Sequence, residues 1–91
     1  MSEADIRSDA TKELRKLGFK VWATSQRRKS KVTRGLPDLI VASKSRRGVC
    51  LGIEVKTPDG ERTPEQKSED EAGHIIVCRS VEEIIQAVMS W

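Results

Sequence analysis

At 91 residues the chain is long enough for one domain, residues 1–91, but its core is thin: a protein of this size buries only about 60–65% of its unfolded surface. The composition, 36% hydrophobic and 34% charged, is that of a soluble globular protein, and no apolar run approaches the roughly 18–20 residues needed to cross a bilayer. The net charge of +3 is unevenly spread: residues 14–47 hold eleven Lys or Arg and one acid, Asp38, for +10, against −2 for residues 1–13 and −5 for residues 48–91. A basic stretch around a single carboxylate reads either as solvated surface or as a phosphate-binding surface. The polar, acidic start speaks against a secretory leader. Cys50 and Cys78 both lie in apolar runs, so buried free thiols in a reducing compartment are expected rather than a disulfide framework. Two Cys and one His cannot make a four-ligand zinc site of those residue types.

In chain order, Ile6, Ala10, Leu14 and Leu17 recur at helical spacing, with Ser2 as cap and Gly18 where a helix would end, which predicts an amphipathic helix over 3–17. Phe19, Val21 and Ala23 alternate with Lys20 and Trp22 and predict a short strand. Residues 24–37 are polar and basic and close on Gly and Pro, a loop. Strands are expected over 38–43 and 49–56, with residues 44–48 as the turn. After a loop over 57–62, Thr63, Pro64 and Gln66 resemble a helix start, although the segment that follows is almost entirely polar. His74 to Cys78 reads as a strand, and Val81, Ile84, Ile85 and Val88 form an apolar stripe on a last helix capped by Ser80 with Glu83. The order α-β-β-β-α-β-α describes one α/β domain.

The middle hairpin carries the chemistry. A turn centred on Arg46 puts Asp38 directly opposite Glu54, with Cβ atoms about 4.5–5.5 Å apart. Ile40, Ala42, Cys50, Gly52 and Lys56 share that face, while Leu39, Val41, Val49, Leu51, Ile53 and Val55 make the other face uninterruptedly apolar. Adjacent carboxylates repel unless a cation lies between them, and magnesium or manganese suits hard oxygen ligands with open water positions. An ammonium at Lys56 can orient a water or neutralise charge building on a phosphate. The competing reading is an ordinary Glu-Lys pair on an exposed strand.

The segments Arg34-Gly35-Leu36-Pro37-Asp38-Leu39 and Ile53-Glu54-Val55-Lys56-Thr57 match the PD-(D/E)XK nuclease pattern. With Glu3, Ile6, Leu14, Gly18, Gly60, Gln66 and the Gly73-led strand, the chain resembles the VRR-Nuc (virus-type replication-repair nuclease) family over nearly its whole length. The resemblance implies a restriction-endonuclease-like core, a central mixed sheet flanked by helices. It also implies that Asp38, Glu54 and the Val55 carbonyl hold Mg2+ or Mn2+, that Lys56 serves the nucleophilic water, that Glu3 completes the metal site and that Gln66 faces it. Glu3 can equally be a helix N-terminal carboxylate, with Asp5 and Asp9 as competitors. Gln66 can instead be the capping partner of Thr63, and only Lys67 to Ala72 separate it from Gly73, fewer residues than the family usually has.

Arg27, Arg28, Lys29, Lys31 and Arg34 precede the Asp38 strand, where a loop could track a phosphate backbone into the site. Trp22 could stack on a base or pack at a sheet edge, and Trp91 is a large ring that an oligomer contact would cover. The expected function is a Mg2+- or Mn2+-dependent endodeoxyribonuclease. By resemblance it acts on branched DNA such as four-way junctions, as a homodimer, with a phage origin and a place in the host cytoplasm implied. The alternative is a nucleic-acid-binding module with the nuclease fold and little activity. A sequence-reading restriction enzyme is disfavoured because little chain is left for reading bases.

Overall fold

The computed structural model describes residues 2–24, 36–59, 73 and 75–91. Helix α1 spans Glu3–Lys16, followed by strands β1 (Val21–Ala23), β2 (Leu39–Ala42), β3 (Cys50–Val55) and β4 (Ile75–Cys78), then helix α2 (Val81–Ser90). Ser2 and Asp5 cap α1 reciprocally, each side chain accepting from the other's backbone N–H, which holds two otherwise orphaned donors. Its far end closes on Gly18 at φ 90°, with the Gly18 N–H bonded to the Arg15 carbonyl and the Phe19 N–H to the Leu14 carbonyl. This double closure needs a left-handed residue at Gly18, and β1 starts two residues later than expected, at Val21, with the Phe19 N–H spent on the helix. Ser80 caps α2 by accepting from the Glu83 N–H.

The strands form one mixed sheet in the order β1-β2-β3-β4, antiparallel from β1 to β3 and parallel between β3 and β4. The hairpin register is the one a turn about Arg46 requires: Leu39 pairs with Ile53, Ile40 with Gly52, Val41 with Leu51 and Ala42 with Cys50. The turn is held by the Ser43 hydroxyl, which accepts from the Ser45 and Arg46 N–H groups, and by Gly48 at φ 76°. Lys44 reaches from it to the Leu17 carbonyl, its ammonium 4.2 Å from the Phe19 ring centroid, so the hairpin is fastened to the end of α1.

Both described helices pack on one face. Ile6, Ala10 and Leu14 of α1 and Ile84 and Val88 of α2 meet Val21, Leu39, Val41, Ile53, Val55 and Cys78 of the sheet. A fully buried Leu, Ile or Val contributes about 1.5–3 kcal/mol, so this single layer carries most of the folding energy. Among the described residues no helix covers the opposite face. Cys50, expected to be buried, is exposed: it is the first residue of β3 and points to that face. Trp91 finds a partner within the chain, since the Arg46 guanidinium lies 5.4 Å from its ring centroid. The helix expected from Thr63 lies outside the described residues, as do most of the parallel crossover and His74. No helix among the described residues is long and apolar enough to cross a membrane.

Candidate active site

Asp38 stands one residue before β2 and continues its register, so it faces Glu54 across the hairpin. Both side chains leave the helix-covered core, yet both are buried: Asp38 is 8% exposed and Glu54 2%. Local packing fixes Asp38 from three sides. The Val55 N–H donates to Asp38 Oδ2 at 2.9 Å, the Thr24 N–H donates to the Asp38 carbonyl at 2.9 Å, and Arg7 Nη1 on α1 lies 3.7 Å from Asp38 Oδ1. The Thr24 hydroxyl also donates to the Pro37 carbonyl.

Pro37 is seated against Gly52. A Cβ on Gly52 would meet Pro37 Cγ at 3.0 Å and Ile75 Cγ2 at 3.1 Å, so only glycine lets the Pro37 ring approach β3 this closely. The ring is bonded into the backbone that leads straight to Asp38 and cannot swing aside alone. Gly52→Ala is therefore expected to push Pro37 and Asp38 together. If the pair cleaves phosphodiesters as the family resemblance implies, that rate should fall about tenfold or more, because small displacements of reacting groups cost heavily. The melting temperature should change by only a few degrees, as the entropic gain of Ala offsets part of the clash. Parallel melting and nuclease assays check this, and an unchanged rate would mean that Asp38 tolerates the shift.

Glu54 is the unusual group. Its Oε1 is buried and has no hydrogen-bond partner among the described residues. Burial is the main force pushing its carboxyl up to about 8, with hydrogen bonding to Asp38 and that residue's charge next; Lys56 pulls the other way and Glu3 adds a small push upward. Lys56, half-buried just past β3, has its N–H bonded to the Cys78 carbonyl, which fixes its backbone against β4. Glu3 sits in the first turn of α1, where its charge reaches Glu54. Among the described residues no three Asp, Glu, His or Cys side chains converge as a ready-made metal cage. The compact element is thus the Asp38–Glu54 pair, with Glu3 standing off. Asp5 is spent on the Ser2 cap, whose backbone hydrogen bond lowers its pKa.

An orphaned buried carboxylate oxygen beside a second carboxylate fits a hard divalent cation, since either a proton or an ion must offset their repulsion. The sheet thus brings together Asp38, Glu54, Val55 and Lys56, with Glu3 nearby. Gln66 and the basic residues Arg27, Arg28, Lys29, Lys31 and Arg34 lie outside the described residues. Sequence reasoning missed the supports. Arg7 was signalled only by its spacing four residues after Glu3 on α1, and Gly52 only as a glycine inside an otherwise apolar strand. Thr24 left no signal.

No family model and no curated protein matches the chain. A solved structure described as a VRR_NUC domain superimposes on it with a TM-score of 0.72, covering 100% of this chain and 99% of that one at 22% identity. The chain therefore has the fold of that domain.

Proposed function

We propose that the chain is a metal-dependent endonuclease that hydrolyses phosphodiester bonds in DNA. The observation that supports this most directly is the buried Asp38–Glu54 pair, with a Glu54 oxygen unpartnered among the described residues, set two residues before Lys56. Asp38, Glu54 and the Val55 carbonyl would hold Mg2+ or Mn2+, with Glu3 as the further acid. When bound, the ion would polarise the scissile phosphate and stabilise the leaving oxygen. The chain's own groups do the rest. Glu54 must surrender its proton before it can act as a ligand. Arg7 and the Val55 N–H keep Asp38 aimed at Glu54. Lys56 orients the attacking water and offsets negative charge on the phosphate, a role worth about 2.7–4 kcal/mol for a single well-placed donor. Gln66 would face the same water.

The basic run Arg27, Arg28, Lys29, Lys31 and Arg34 would follow the DNA backbone toward Asp38. Branched DNA, four-way junctions in particular, is the proposed substrate. A two-fold homodimer would supply the two sites that symmetric cutting needs. The absence of a third converging carboxylate among the described residues favours one other reading, a DNA-binding module with little activity.

The test is cleavage of end-labelled four-way junction, duplex and single-stranded DNA in Mg2+, Mn2+ or EDTA, beside Lys56→Ala. Metal-dependent cutting that Lys56→Ala reduces by about 100- to 1000-fold, with DNA binding kept, is the expected result. Paired symmetric nicks confined to the junction would support the dimeric junction enzyme. Binding without cutting in every metal, from folded protein, would leave the module.

A further inference from the structure

The sheet face opposite the two helices is laid out in rows. Thr24, Asp38, Glu54 and Val77 form one row; Trp22, Ile40, Gly52 and Ile75 form the next; Lys20, Ala42 and Cys50 form a third. Trp22 is therefore on the same face as the carboxylates, one strand across and two residues along from Asp38. From strand geometry this is about 8 Å from Asp38 and about 12 Å from Glu54. Trp22 is 45% exposed, on the edge strand of the described sheet, while Val21 beside it is sealed into the core. The Lys20 ammonium lies 5.5 Å from its ring centroid, and among the described residues no acid pairs with that lysine.

An exposed indole with a cation on it, next to a phosphate-cleaving site, has the two parts a nucleotide needs: a π-face for the base and a charge for its phosphate. We propose that Trp22 stacks on an unpaired base about two nucleotides from the scissile phosphate, with Lys20 meeting the phosphate of that nucleotide. This rests on the nuclease reading and narrows its substrate. A base inside a continuous duplex must first be unstacked and unpaired to reach the ring, whereas a base in the single strand of a fork or gap is already free. The site thus selects DNA with a splayed or single-stranded nucleotide beside the cleavage point. The selection comes from the free π-face, and base sequence matters little to it.

The experiment uses Trp91→Phe, in which Trp22 is the remaining tryptophan. Its emission is followed in EDTA on titration with oligothymidine, a blunt duplex, and the same duplex ending in a two-nucleotide fork. Quenching by oligothymidine and by the fork, but not by the blunt duplex, is expected. Trp22→Ala should weaken fork binding about 10- to 100-fold and leave duplex binding unchanged, with Trp22→Phe recovering most of the loss. Equal affinity of Trp22→Ala for fork and duplex, without quenching in the parent, would overturn the proposal. So would a Trp22→Ala protein that sediments as a smaller species, which would assign the ring to a contact between copies. Cleavage in Mg2+ and Mn2+ is scored separately. Quenching without cutting removes the enzyme and keeps the stacking site, and cutting that is indifferent to Trp22 does the reverse.

Discussion

Glu54→Gln is expected to abolish metal uptake and lower cleavage by about 1000-fold or more, while leaving the metal-free protein as stable as the parent at neutral pH. Most buried-charge substitutions damage function and fold together, and this one should separate them. With its carboxyl pushed to about 8, Glu54 is already largely protonated at pH 7, so a carboxamide of the same shape replaces a neutral group by a neutral group. Its NH2 can donate to Asp38, which removes the repulsion between two acids. Above pH 8 the parent must carry a second buried negative charge and the variant need not, so the variant becomes the more stable of the two. Melting in EDTA at pH 6 and pH 9, with Mn2+ titration and the junction assay alongside, checks all three statements. A clear loss of stability in EDTA at pH 7 would show that an ionised Glu54 is held favourably without metal.

The hairpin that carries the pair was legible from the sequence because two independent patterns agree on it. The apolar alternation puts Leu39, Val41, Ile53 and Val55 on one face, and the Ser43–Gly48 segment has the residues for a turn centred on Arg46. A slip of one residue would expose every member of the apolar set, so the register was strongly specified. Both helix starts were legible for a similar reason: Ser2 and Ser80 are side chains whose local hydrogen bond is the structure. The strand ends were less so. Phe19 and Lys20 have strand-like alternation but follow the closure of α1, and the helix-closing bond from the Phe19 N–H to the Leu14 carbonyl overrides it. Cys50 reads as core by composition and is exposed by position.

The site was legible in its charged residues and opaque in its supports. Carboxylates and a lysine at two-residue spacing announce a chemistry; a glycine that admits a proline ring, or a threonine that ties two backbone segments, announces nothing until the chain is folded. Arg7 belongs to α1 and reaches Asp38 only because the helix packs with its N-terminal turns near the start of β2. That placement depends on Ile6, Ala10 and Leu14 meeting a sheet assembled from residues far along the chain, which no local pattern encodes. Gln66 shows the converse limit. A polar segment without an apolar face gives the sequence no periodicity from which to position it.

The second large effect is a coupling of metal, proton and stability through Glu54. In the folded protein its carboxyl keeps its proton up to about 8, while in the unfolded chain it releases it near 4.5. Between these values the folded state binds the extra proton. Stability in EDTA therefore falls as pH rises through that window, by about 1.4 kcal/mol per unit where the slope is steepest, and levels off on either side. A divalent ion takes the place of the proton, so its stabilising effect must grow over the same interval. Below pH 8 its uptake should release about one proton and tighten up to about tenfold per pH unit. The quantity to plot is the melting difference between the parent and Glu54→Gln, in which the contributions of unchanged groups cancel. In EDTA that difference should favour the variant increasingly as pH rises, and saturating Mn2+ should reverse it in favour of the parent. A parent that gains stability from pH 5 to 8 relative to the variant, without metal, would place the proton elsewhere. The expected behaviour has a functional consequence: a shared proton holds Asp38 and Glu54 together when no ion is bound, so the pair is assembled before the metal arrives.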